Sequence, residues 1–297
     1  MAFWRAIEMM VHRSQAPSLG VVAISYNEQQ DIVGFLDNLI GWVDEVVVVD
    51  DGSTDNTEAL CLKAGPKVRF VSAPRLDGEY FSDQRNKGID AAQSDWLLHM
   101  DIDERVPSEL AHEVLLAIRN SSFDGYRFRR RNYFMQRPMK GGGWQHWNHL
   151  HLARRSLFRF GGMFHESYEI DCAPERIGQL EHLMTHLNEV DFEKRLRKSA
   201  VYLEEVVADI ERRGTKITAT RILFAPLKEF VKKYLLQGGF RDGTPGLISA
   251  MHSSTSIFRG YSVVWDRQNR LRREDVEARL KAEFDAGRIC PVEQDAP

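Results

Sequence analysis

Two aspartates two positions apart, Asp101 and Asp103, follow the apolar run Trp96-Leu97-Leu98-His99-Met100. At a strand end, residues i and i+2 face the same side, so both carboxylates can meet one cation. Two hard oxygen ligands with open positions suit Mg2+ or Mn2+ held against a substrate diphosphate. The plainer reading is a pair of polar residues at a loop entry. A second acidic cluster, Asp50-Asp51-Gly52-Ser53-Thr54-Asp55, follows the run Val46–Val49. Gly52 permits a tight turn there, and Ser53 or Asp55 can cap the next helix. With no lysine the cluster is a poor phosphate loop. Its carboxylates can instead accept hydrogen bonds from a nucleobase N–H or from ribose hydroxyls. A third polar group, Tyr26-Asn27-Glu28, follows Leu19–Ser25.

Elements must bring these clusters together. Leu19–Ser25, Val46–Val49, Val68–Val71 and Trp96–Met100 are short apolar runs, three of them rich in β-branched residues. They read as strands buried on both faces. Between and after them, residues 27–41, 54–64, 83–92 and 107–119 carry helical patterns. Strand and helix thus alternate over the first 120 residues, which predicts a mostly parallel sheet covered on both faces. Ligands bind such sheets beyond the carboxyl ends of the strands, where all three polar clusters fall.

The pattern changes from about Gly125. Residues 126–134 are strand-like and carry Arg127, Arg129, Arg130 and Arg131. Gly141-Gly142-Gly143 reads as a mobile loop able to close over a bound ligand. Beside it stand Trp144, His146, Trp147 and His149, which suit either stacking on sugar rings or core packing. Residues 150–160 return to strand spacing, and residues 190–213 predict one long amphipathic helix. His182 and His186 lie four apart, and His186 is a candidate third metal ligand. From Arg267 a charged helix is expected, then a frayed end.

The ordered segments Ile24-Ser25-Tyr26-Asn27-Glu28, Asp50–Asp55, Gln84-Arg85-Asn86-Lys87-Gly88 and Asp101-Ile102-Asp103-Glu104 resemble the motifs of family 2 glycosyltransferases. The resemblance implies a GT-A, Rossmann-like α/β fold and transfer with inversion from a nucleotide-diphosphate sugar, with UDP the favoured nucleotide. It implies a nucleotide-binding set of Ser25, Tyr26, Glu28, Asp50, Asp51, Ser53, Arg85, Asn86 and Asp101. Asp103 is implied to bind Mg2+ or Mn2+ directly, with Asp101 on the ribose or a metal-bound water and His186 as the further ligand. Phe164-His165-Glu166 resembles a histidine–glutamate pair of a subgroup, which makes Glu166 the candidate base and His165 its neighbour or alternative. Against this stands a plain ion pair of Glu166 with Arg155 or Arg159. His186 followed by Lys194 and Lys198 resembles the same subgroup. Gly238-Gly239-Phe240-Arg241-Asp242-Gly243-Thr244-Pro245-Gly246 resembles a segment of lipopolysaccharide core glucosyltransferases. The run Ser253-Ser254-Thr255-Ser256 departs from the apolar helix expected after it.

These readings divide the chain into a lead-in over 1–17, a catalytic domain over 18–190 and a helical extension over 191–297. Residues 18–120 form the donor half of the catalytic domain, and 121–190 the acceptor half. The partners implied are a nucleotide-diphospho-sugar and a glycan or glycolipid of the cell envelope. Residues 212–241 mix basic and apolar side chains in a way that suits an anionic membrane surface, or a solvated helix face. A net charge of -3 gives no sign of a nucleic-acid partner. Three widely spaced cysteines, Cys61, Cys172 and Cys290, fit a reducing compartment. With no signal-peptide pattern and no long apolar run, a cytoplasmic protein is expected, peripheral on the inner face of the cytoplasmic membrane. Competing expectations are a sugar-phosphate nucleotidyltransferase and a non-catalytic sugar-nucleotide-binding protein.

Overall fold

The computed structural model describes residues 16–120, 122–161, 167–188 and 191–287. Strand β1 (Leu19–Ser25) is buried along almost its whole length. It lies between β2 (Glu45–Asp50) and β4 (Trp96–His99) and is parallel to both, with Ser25 level with Asp50. Strand β3 (Val68–Ser72) extends the parallel set beyond β2. Beyond β4 the sheet becomes mixed. Strand β8 (Asn148–Arg154) runs antiparallel to β4 and to β6 (Gly125–Phe134). Strand β12 (Met184–His186) runs parallel to β6 and antiparallel to β5 (Glu104–Arg105). The order is β3-β2-β1-β4-β8-β6-β12-β5, with β7 (Arg137–Pro138) and β11 (Ile177–Gln179) also paired to β6. This is the expected GT-A architecture, with the parallel half first.

Both faces are covered, which explains the continuous apolar strands. Helices α1 (Ile32–Leu39), α2 (Thr57–Lys63) and α4 (Ser108–Ala117) seal one face through Phe35, Leu36, Cys61, Leu110 and Val114. Helix α3 (Phe81–Ala91) seals the other through Ile89, packed with Val22, Val49 and Phe158.

Two expected elements are divided. The strand expected over 150–160 is interrupted by a turn at Arg155–Leu157. The Arg155 amide and Nε bond the carbonyls of Asp95 and Ser94. The chain then starts β9 (Phe158–Gly161), which pairs with β10 (Ser167–Ile170) in a separate ribbon. The long helix expected over 190–213 is two, α5 (Phe192–Val201) and α6 (Leu203–Arg212). They meet at Tyr202, whose ψ of 0° ends one helix and opens the next. Helices α7 (Ala219–Val231), α8 (Gly243–Asn269) and α9 (Arg273–Asp285) follow. Val207, Ile210, Ile217 and Val264 give the extension its own apolar cluster.

The triple glycine is a seam rather than a free lid. The Lys140 and Gly141 amides donate to the two Asp242 carboxylate oxygens at 2.8 and 2.9 Å. A Cβ on Gly141 would lie 2.1 Å from the Gly238 carbonyl oxygen, so only glycine permits this approach. Trp144 completes the seam by donating from Nε1 to Ser249 Oγ at 3.1 Å. The Gly239–Gly246 segment therefore fastens the extension to the loop after β7.

Candidate active site

The turn after β2 is built from its own polar atoms. Asp50 is buried and accepts from Ser25 Oγ (2.7 Å), Ser53 Oγ (2.5 Å) and the Gly52 and Ser53 amides (3.0 and 2.7 Å). Ser53 Oγ also accepts from the Asn27 amide at 2.8 Å, and Asn27 Oδ1 accepts from the Thr54 amide at 2.8 Å. Ser25, Asp50 and Ser53 thus lock the β1 and β2 ends together. Asp51 is held by the Arg75 amide and Nε, both at 2.7 Å. Tyr26 stands exposed at the rim.

The turn after β4 is different. The strand ends at His99, so Asp101 and Asp103 lie in a turn closed by the Glu104 amide on the Asp101 carbonyl. The same-side rule for strand residues does not apply there, and the two carboxylates meet different partners. Asp101 pairs with Arg85 at 2.8 Å and Arg130 at 3.5 Å. Desolvation opposes its charge, yet these guanidiniums hold its carboxyl well below the usual carboxylate range. Behind it, Glu104 is buried, lies 2.7 Å from Arg130 and accepts from the Asp101 amide. Burial pushes Glu104 up to about 7, with Arg130 opposing and Asp101 adding to the rise. Arg130 is clamped from above by the Trp147 ring, 3.5 Å from its centroid.

Asp103 has no hydrogen bond to its carboxylate and no Arg or Lys partner among the described residues. Its ionic neighbour is His186, with Nε2 3.3 Å from Oδ2. Asn132 Oδ1 lies 2.7 Å from His186 Nδ1 and fixes the ring, while the Leu187 amide donates to the Asp103 carbonyl. A carboxylate beside an imidazole oriented by its other nitrogen is a donor set that fits a divalent cation. Among the described residues no group of three or more His, Cys, Asp or Glu side chains is arranged to hold a metal. Asp103 and His186 would therefore hold it together with ligand oxygens. Asp101, expected as a further ligand, is turned to its two arginines.

Asp103 opens into a pocket of about 360 Å³ that Glu28 and Asp31 line on one side and α5 closes with Lys194, Arg197 and Lys198. Burial raises the Glu28 carboxyl to about 7; Lys194 pulls against the rise and Asp103 adds to it. Acid on the sheet edge thus faces base on the first helix of the extension. Arg85 stays beside Asp101, whereas Asn86 is a splint, exchanging two hydrogen bonds with the Phe160 backbone at 2.8 and 2.9 Å. His165 and Glu166 lie outside the described residues. Arg159, one expected partner of Glu166, pairs with Asp90 at 3.0 Å.

Arg130 and Asn132 were not among the expected site residues. Their signal is parity: Phe128, Arg130, Asn132 and Phe134 alternate along β6 on the inward side, while Arg129 and Arg131 are exposed. An inward arginine needs an acid, and Asp101 and Glu104 supply two.

Residues 20–172 match the sequence model described as Glycosyl transferase family 2, just over half of the chain. The chain is a family 2 glycosyltransferase. Among relatives of this family 2 glycosyltransferase is the lipopolysaccharide core biosynthesis glycosyltransferase LpsC of Rhizobium meliloti. It is 26% identical over 80% of this chain and 88% of its own length. An uncharacterized glycosyltransferase of Rickettsia felis is 24% identical over 87% and 93%. Among solved structures, glucosyl-3-phosphoglycerate synthase from Mycobacterium tuberculosis, crystallised with Mn2+, uridine-diphosphate and glucosyl-3-phosphoglycerate, is 18% identical. That match covers 62% of this chain and 76% of that one, with a TM-score of 0.42. The family sets aside the nucleotidyltransferase and non-catalytic readings.

Proposed function

We propose that this family 2 glycosyltransferase moves a sugar, with inversion, from a UDP-sugar to a hydroxyl of a cell-envelope glycolipid of the lipopolysaccharide core class. The observation that carries the donor reading is Asp103. Its carboxylate is left without a hydrogen bond or arginine among the described residues, faces His186, and opens into a pocket walled by Lys194 and Lys198. Asp103 and His186 would hold Mg2+ or Mn2+, which supplies Lewis-acid stabilisation of the departing diphosphate. Lys194 and Lys198 add fixed positive charge from the other wall. Tyr26 and Asp51 border the nucleoside, and the Asp50 turn keeps that border in shape. Glu166, with His165 beside it, is the proposed base for the acceptor hydroxyl.

Likeness to a relative named for lipopolysaccharide core biosynthesis supports the acceptor class. The outer surface of the extension supports membrane contact. Leu223, Phe224, Leu227, Leu235 and Leu236 are exposed, the last to 79%, among Arg221, Lys228 and Lys232. No described helix is long and apolar enough to cross a membrane, so this contact would be peripheral.

The test is transfer from a panel of nucleotide-sugars to core-truncated lipopolysaccharide, with Mn2+ or Mg2+. Metal-dependent release of UDP coupled to a heavier glycolipid is the expected result. Sugar transfer that proceeds unchanged in a metal chelator contradicts the reading. Salt-sensitive pelleting with anionic vesicles, weakened by Leu236→Ser with Phe224→Ser, checks the membrane surface.

A further inference from the structure

Around α5 from the Asp103 pocket lies a second pocket of about 400 Å³ lined by α5, α6, α7 and α8. Its size is that of a small-ligand site. Four cations line it, Arg195 and Lys198 from α5, Lys233 from the turn after α7 and Arg259 from α8. Among the described residues Glu229 is the one acid on the wall, and it lies 3.5 Å from Lys232. Lys198 lines this pocket and the donor pocket alike, so the two adjoin along α5. Residues three and four apart share a helix face, which puts Lys194, Arg197 and Lys198 on the donor side and Arg195, Lys198 and Ser199 on the adjacent face.

Two of these cations, Lys233 and Arg259, are incompletely matched among the described residues. Lys233 Nζ makes no hydrogen bond or ion pair among the described residues, and burial pushes its pKa down, with Glu229 opposing and Lys232 and Arg195 adding. Arg259 Nη2 donates to Ser199 Oγ at 3.0 Å and Ser256 Oγ at 3.1 Å, while its buried Nε has no partner there. The hydroxyl run that departs from an apolar helix now has a place. Ser253 and Ser256 face this pocket, and Ser254 turns away to bond the Pro226 carbonyl. Tyr202, Leu203 and Ile257 give an apolar wall against which the C–H face of a sugar ring can lie.

We propose that this pocket is an acceptor subsite that takes a phosphate or carboxylate carried on the acceptor sugar, so that the enzyme selects an anionic glycan. The proposal deepens the transferase reading and rests on it for the word acceptor. The anion recognition itself stands on the pocket alone.

The test uses the full chain and three probes, glucose 6-phosphate, glucuronate and glucose, with binding followed by calorimetry at fixed ionic strength. At least one anionic sugar is expected to bind about tenfold or more tighter than glucose, as charge-assisted hydrogen bonds require. Which of the two binds distinguishes phosphate from carboxylate. Lys233→Gln combined with Arg259→Gln abolishes the preference while UDP–Mn2+ affinity stays within about twofold. Ser253→Glu, which sets a carboxylate at the half-exposed pocket wall, has the same effect and carries the test where the double variant does not fold. Equal binding of all three sugars, or a preference that survives in the folded variants, overturns the proposal. So does loss of phosphatidylglycerol vesicle binding with sugar preference intact, which would assign the cations to lipid headgroups. A wild-type protein that prefers the anionic sugar but does not bind UDP–Mn2+ sinks the donor reading and leaves the anion pocket standing.

Discussion

The turns after β2 and β4 are both acidic and stand on the same sheet edge, yet they treat their carboxylates in opposite ways. Asp50 has its carboxylate filled by two hydroxyls and two amides, and Asp51 is taken by Arg75. In the second turn Asp101 and Glu104 share Arg130, and Asp103 is left to a histidine. A carboxylate satisfied by its own chain shapes the edge; one left open is available to a ligand. Both turns are rich in carboxylates, and the difference lies in the partners each is given, hydroxyls and amides around Asp50 in the first and charged side chains from other elements in the second.

Four substitutions break or sharpen that contrast. Asp103→Asn is expected to lower sugar transfer by about 10²–10³-fold, the scale of losing one electrostatic contact to a transition state, with the thermal midpoint unchanged. Arg130→Gln leaves Asp101 and the buried Glu104 without their shared cation, and equilibrium denaturation is expected to show a loss of about 3–5 kcal/mol. Asp50→Ala leaves the Ser25 and Ser53 hydroxyls and two amides without their acceptor, a stability loss of about 2–3 kcal/mol by the same measurement. Glu28→Gln is the smallest effect. A carboxyl whose folded pKa is raised to about 7 from 4.5 destabilises the fold once ionised. The cost is absent below pH 4.5, grows from there to about 7 and is constant above. The variant is expected to gain on the order of 1 kcal/mol at pH 8, after discounting for solvent, and nothing at pH 4.

Much of the parallel half was legible because its strands are buried on both faces, so Val21–Ala23, Val46–Val49 and Trp96–Leu98 spell out the sheet by apolar continuity. The polar clusters then fall at strand ends by position. The division of labour inside each cluster was not legible, since it depends on cross-strand partners. Asp101 and Asp103 look alike until Arg85 and Arg130 are brought beside one and His186 beside the other. The second half was harder for a related reason. Gly141 reads as freedom in the sequence but as close approach in the fold, because Gly238 and Asp242 come from about a hundred residues later. The break at Tyr202 left no proline or glycine to mark it.

The most direct test of the open carboxylate is a titration of UDP into the wild-type chain and into Asp103→Asn, each with and without Mn2+. The account predicts that Mn2+ tightens UDP binding in the wild type and that this gain disappears in the variant, whose fold is intact by circular dichroism. An Asp103→Asn protein that binds UDP with the same Mn2+-dependent gain as the wild type would contradict it.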